Sequence, residues 1–295
     1  MPYVSTDDDV KLYYEVTGDG PPIVFVHEFA GDHRSWEPQI RFFSRRYKCI
    51  TYCARGFIPS DVPAEVEKYS QERARDDLLA VVRGLELEQP HLVGLSMGAF
   101  AVLHFAMKYP QHVGSMVISG CGYGSELDRA EQFAAESELS ARRFESLGME
   151  KAAKSYALGP TRVQFQNKDP RGWDELHSML QEHSSKGSAN TLRGIQKRRP
   201  SIYSMLEEAG SIKSPALIIT GDEDWPCIQP SIALKKAIST SGLAVIPNAG
   251  HTINLEEPAA YNALIDDFLH AVAVNRWPDR DPGAMKDSIL GVEDI

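Results

Sequence analysis

The stretch HLVGLSMGAF, residues 91–100, sets one serine between two glycines, directly after one apolar run and directly before another. A serine hydroxyl is a weak nucleophile at neutral pH, so it needs a base to take its proton and an exposed position from which to attack. A strand-to-helix elbow supplies the exposure. Gly94 and Gly98, two residues either side of Ser96, let strand and helix approach while the serine takes a strained conformation that projects it outward. The following helix offers its N-terminal N–H groups and the positive end of its dipole to developing negative charge, with Met97 N–H the natural oxyanion donor. Among nine histidines, His251 stands out as the base because it follows the apolar run LAVIPN and Gly250, where the edge of a sheet would deliver it beside the elbow. An acid is due after the run PALIIT, and GDEDWP presents Asp222, Glu223 and Asp224 there. One carboxylate suffices to hold the imidazole tautomer and stabilise its charged form.

These side chains need a frame. PPIVFVH, YKCITYC, HLVGL, GSMVIS, PALIIT and LAVIPN are short, nearly continuous apolar runs rich in β-branched residues, as strands covered on both faces require. Between them, YSQERARDDLLAVVRGLEL, GAFAVLHFAMKYP and EEPAAYNALIDDFLHAVA repeat apolar residues at three- and four-residue spacing, the pattern of amphipathic helices. The alternation implies an α/β fold with a mainly parallel sheet. VKLYYEVTGDG instead alternates apolar and polar residues and ends at a Gly-Asp-Gly turn signal, which suits an edge hairpin. From about 122 to 213 helical patterns follow one another with no strand between them, so residues 1–121 and 214–272 read as the core and 122–213 as a helical insertion. The proline- and charge-rich segment 273–295 reads as a tail lying loosely on the surface.

At 295 residues and 42% hydrophobic, the chain can bury a large core. Its formal net charge of −10 argues against nucleic acid or an anionic membrane as partner. No run of eighteen apolar residues occurs, and the acidic N-terminus MPYVSTDDDV is unlike a signal peptide. Cys49, Cys53, Cys121 and Cys227 lack paired zinc-site spacings and are too few for a disulfide framework, so they read as reduced thiols of a cytoplasmic protein. A homo-oligomer stays open.

Together, VFVHEFAGDHRSW, ARGFIPSD, GLSMG, IITGDEDWP and NAGHTINLEEP, in that order, resemble the α/β-hydrolase superfamily, particularly its cofactor-free esterases, lactonases, non-haem haloperoxidases and carbon–carbon bond hydrolases. The resemblance spans nearly the whole chain. It implies an eight-stranded sheet with helices on both faces, a helical cap, and no metal or organic cofactor. It favours Asp224 over Asp222 as the acid beside His251, adds Phe29 N–H to Met97 N–H as oxyanion donors, and makes His27 a structural buttress of the HEFAG loop. Two departures stand out. Glu28 occupies a position where glycine is usual, so it is either a cap- or solvent-facing side chain paired to a base or a group that selects substrate. Cys53 replaces an aspartate, leaving Arg55 and Asp61 to close a local ion pair.

The expected reaction is acyl transfer from a small carboxylic ester, lactone or thioester. Carbon–carbon bond hydrolysis, perhydrolysis, a cofactor-free oxygenase and a ligand receptor on the same fold are the alternatives. Apolar cap residues with Glu28, Phe29, Phe100 and Trp225 are expected to line the substrate pocket. The dense basic run LRGIQKRRPS reads as a solvated face of the cap.

Overall fold

The computed structural model describes residues 2–286. Eight strands form one sheet: β1 (Tyr3–Ser5), β2 (Lys11–Thr17), β3 (Pro22–Val26), β4 (Lys48–Tyr52), β5 (His91–Leu95), β6 (Ser115–Ser119), β7 (Ala216–Gly221) and β8 (Ser241–Ile246). Their order is β1-β2-β4-β3-β5-β6-β7-β8. All pairings from β4 through β8 are parallel, and β1 and β2 add an antiparallel edge.

The helices, in chain order, are α1 (Glu37–Phe43), α2 (Gln71–Gly84), α3 (Met97–Lys108), α4 (Ala130–Leu147), α5 (Met149–Ala157), α6 (Val163–Lys168), α7 (Pro170–Glu182), α8 (Ser185–Thr191), α9 (Leu206–Ala209), α10 (Trp225–Ala237), α11 (Ile253–Glu256) and α12 (Pro258–Ala273). Successive strand residues serve opposite faces. Val24, Leu92, Met116 and Ile218 pack with α2, α3 and α10, while Ile23, Phe25, Val93, Val117 and Ile219 pack with α1 and α12. The sheet is therefore covered on both sides, which is why its central strands read as continuous apolar runs. Helices α4 to α9 follow β6 and precede β7, with no strand between them among the described residues. A third apolar cluster joins α4, α5, α7 and α8 to Phe29 and Met97 at one rim of the sheet.

Two local features differ from the sequence reading. The edge hairpin forms between β1 and β2, and the Gly-Asp-Gly signal instead carries the chain from β2 towards β3. Gly18 and Gly20 both have positive φ, 83° and 121°. The start of the expected loose tail is tied down: Trp277 packs edge-on to Phe268 at 4.7 Å and donates to Thr240 O at 2.8 Å, and Arg280 donates to Lys235 O at 2.6 Å. An indole buries its ring and still needs a partner for its N–H, and this corner supplies both. The rest of that tail, 287–295, lies outside the described residues.

The sheet order reverses at β3, which has β4 on one side and β5 on the other. Loops leaving the carboxyl ends of β3 and β5 then diverge and open a crevice, the place where ligands bind in such sheets.

Candidate active site

Ser96 sits at that crevice, between β5 and α3, at φ 53° and ψ −113°. A non-glycine residue held there is strained by about 1–3 kcal/mol and needs fixed surroundings. They are present: Ser96 N donates to Ser119 O at 2.8 Å, and Phe100 N donates to Ser96 O at 3.0 Å as the first helical bond. A Cβ on Gly98 would collide with the Val26 carbonyl, and one on Gly94 would lie 2.5 Å from Gly98 O. Both glycines are thus required for α3 to pack directly on β5 and the end of β3. Met97 is the first residue of α3, so its N–H has no acceptor within the helix.

Asp224 follows β7 and is fully buried. Its Oδ2 lies 2.7 Å from His251 Nδ1. Asp222 is engaged elsewhere, accepting from Ala249 N at 3.2 Å, and Glu223 accepts from Gln164 Nε2 at 3.0 Å. Of the three carboxylates in GDEDWP, only that of Asp224 hydrogen-bonds the imidazole. The His251 backbone is held by the segment between α5 and α6, its N–H donating to Thr161 O at 2.8 Å. A Cβ at Gly250 would strike that same Thr161 carbonyl, so glycine is needed for the approach. Ser96 and His251 border one cavity of about 340 Å³ beneath α4 and α5.

The loop after β3 contributes the third part. His27 Nε2 accepts from Ala54 N at 3.0 Å, so its Nδ1 carries the proton and donates to Glu28 O at 2.6 Å. Burial lowers its pKa to about 4, keeping the ring neutral and both bonds intact. Phe29 packs against Phe144 and Tyr156, with centroids 6.1 and 5.1 Å away. Glu28, buried, turns towards the start of α6 and pairs with Arg162, while Thr252 Oγ1 lies 3.4 Å from its other oxygen. Burial works against the Arg162 charge, but Glu28 holds its pKa above the ordinary value.

The cavity lining corrects several expectations. Trp225 is 74% exposed because it starts α10 facing away from the crevice, and it does not line the cavity. Phe100 lies beneath the Arg199 guanidinium, 4.0 Å from ring to cation, and is covered by it. Phe29 backs the wall formed by Phe144 and Tyr156, and Glu28 acts behind Arg162. The basic run divides. Arg193 and Lys197 pair outward with Glu145 and Glu138, whereas Arg199 turns inward to the cavity. Arg162, Arg199, Tyr123 and Tyr156 were not singled out from the sequence. The only signals for them were the unusual Glu28, which needs a base, and the density of the KRR run.

Arg55 does not pair with Asp61. Its buried guanidinium forks onto Asp77 at 2.6 and 2.7 Å and reaches Asp8, while Asp61 accepts from Lys11 N. A desolvated guanidinium demands a bidentate, equally buried carboxylate, and α2 supplies one. Cys53 meets a histidine, the Nδ1 of His33, at 3.1 Å. Burial nonetheless pushes the thiol up to about 12, so no thiolate forms there.

Among the described residues, one cluster of metal-ligand type occurs: Asp224, Cys227 and His251, with atoms within 4.8 Å of one another. Burial holds the Cys227 thiol well above its ordinary pKa. Any cation there would compete with the hydrogen bond between Asp224 and His251.

Residues 21–258 match the family model described as alpha/beta hydrolase fold. The chain belongs to the alpha/beta hydrolase family. It is similar to 3-oxoadipate enol-lactonase 1 of Acinetobacter baylyi, with 25% identity over 257 residues, 86% of this chain and 90% of that one. Among solved structures, this hydrolase resembles a thermophilic esterase from Thermogutta terrifontis, with 24% identity, a TM-score of 0.81 and coverage of 92% and 98%. It also resembles the enol-lactonase of Burkholderia xenovorans LB400, with 22% identity, a TM-score of 0.77 and coverage of 91% and 100%. These two structural likenesses speak for the fold. No helix among the described residues of this hydrolase is long and apolar enough to cross a membrane.

Proposed function

We propose that this hydrolase cleaves a small carboxylic ester, lactone or thioester through Ser96, His251 and Asp224. His251 Nε2 takes the proton from Ser96 Oγ as that oxygen bonds to the substrate carbonyl carbon. The carbonyl oxygen gains the negative charge and is received by the N–H groups of Phe29 and Met97. Collapse of the tetrahedral species breaks the acyl–oxygen or acyl–sulfur bond, and the imidazolium gives its proton to the leaving group. Water, deprotonated by the same imidazole, then attacks the acyl-serine, releases the acid and returns the proton to Ser96. Asp224 holds the ring tautomer and offsets its charge throughout.

The observation that carries this reading is the 2.7 Å contact between Asp224 and His251 on the same cavity that Ser96 faces from its strained elbow. The kinship with an enol-lactonase supports the class of carbonyl. The four buried free cysteines support a reducing compartment, and we place the enzyme in the cytoplasm. A fluorophosphonate probe tests the proposal. Labelling of wild type that disappears in Ser96→Ala, with loss of ester turnover, is expected; equal turnover in folded Ser96→Ala refutes it.

A further inference from the structure

Arg199 is the one buried cavity guanidinium without a carboxylate partner among the described residues. It is 8% exposed, and its Nε and Nη2 are buried with no hydrogen-bond partner. Only Nη1 is engaged, donating to Tyr123 O at 3.2 Å. The other charges around the cavity balance in number: buried Arg162 is matched by Glu28, and the exposed Arg143 and Glu136, one of each sign, both border it. Burial lowers the Arg199 pKa to about 10, so the group is still protonated at neutral pH. A buried cation with two idle donors is costly unless a ligand supplies the missing anion.

The surroundings fix where that anion would lie. Arg199 stacks on Phe100, one helical turn beyond Ser96, and its Nη1 bond ties it to Tyr123, whose ring is 5.9 Å from that of His251. The guanidinium therefore stands over the first turn of α3, on the wall of the cavity that Ser96 also borders. A planar fork of N–H donors matches a carboxylate in two parallel hydrogen bonds.

Resting on the hydrolase reading above, we propose that the substrate is a monoanion: an ester or lactone with a free carboxylate, separated from the scissile carbonyl by a short chain and bound by Arg199. Arg199 is here a binding residue that selects charge. It takes no part in bond breaking.

The test uses monomethyl esters of the dicarboxylic acids from succinate to suberate, each paired with its neutral dimethyl ester, against the full-length enzyme. The expected result is a preference of about tenfold or more in kcat/KM for the monoanion at one or more chain lengths. Arg199→Met should lower turnover of that monoanion at least about tenfold more than turnover of its dimethyl ester, and Arg199→Lys should restore part of the preference. A monoanion preference that survives Arg199→Met, or none at any length, overturns the proposal. The hydrolase reading fails separately, through the absence of Ser96-dependent turnover of every ester. In that event, calorimetric binding of the monomethyl esters to Ser96→Ala, compared with Ser96→Ala/Arg199→Met, still decides the point: binding lost with the guanidinium supports the anion site, and equal or absent binding overturns it.

Discussion

The pair formed by Glu28 and Arg162 lends itself to a double-mutant cycle. Glu28 is joined by one peptide bond to Phe29, whose N–H we assign to the oxyanion hole, so an uncompensated carboxylate there would oppose the charge that builds on the substrate. At an effective dielectric of about 20 and a separation of about 6 Å, that repulsion is about 3 kcal/mol, or about 100-fold in kcat. Arg162→Met exposes this effect. It also leaves a buried charge without its partner, at a cost of about 3–5 kcal/mol, lowering Tm by roughly 5–10 °C. Both side chains are buried, 2% and 6% exposed, so solvent does little to soften either effect. In Glu28→Gln the hole is spared the carboxylate but Arg162 is left unpaired, so stability should fall with a smaller change in kcat. The double variant Glu28→Gln/Arg162→Met should recover most of both losses, with a coupling energy of about 2–3 kcal/mol in kcat. Thermal unfolding and steady-state kinetics on a neutral ester measure the four proteins, the neutral substrate removing any direct attraction to Arg162. If Arg162→Met lowers kcat by the same factor with and without Glu28→Gln, charge neutralisation beside the oxyanion site is the wrong account.

Asp224→Asn should reduce kcat by about 10³–10⁴ because the imidazole loses its orienting anion, whereas Asp222→Asn, which bonds only Ala249 N, should change kcat less than about threefold; comparable losses in both would contradict the assignment. Stability should also fall in acid through His27, whose pKa is about 4 in the fold against an ordinary 6.5. The folded value is depressed, so its contribution is complete above about 6.5 and is lost as pH falls towards about 4, by up to about 3 kcal/mol. Denaturant midpoints across that range, compared with those of His27→Gln, check it. An equal acid slope in the variant would exclude His27 as a source.

Local pattern determined much of this protein. The apolar runs that became β3 to β7 could only be buried on both faces, and the glycines flanking Ser96 are needed for α3 to pack straight onto the strand it follows. Such features depend on residues a few positions apart, and the chain states them directly. The kinship with hydrolases was legible for the same reason, being carried by short motifs in order.

What the tertiary structure alone decided was the choice of partners across long separations. Arg55 passed over nearby Asp61 for Asp77 and Asp8, because a guanidinium drawn under α2 takes the carboxylate that is buried with it. Trp225 looked apt for a pocket, yet the orientation of α10 leaves it in solvent, while Arg199, one of several bases in a run, turned inward. Composition and periodicity report how much surface must be covered. Which charge meets which, and which is left waiting for a ligand, depends on how separate layers close over one another.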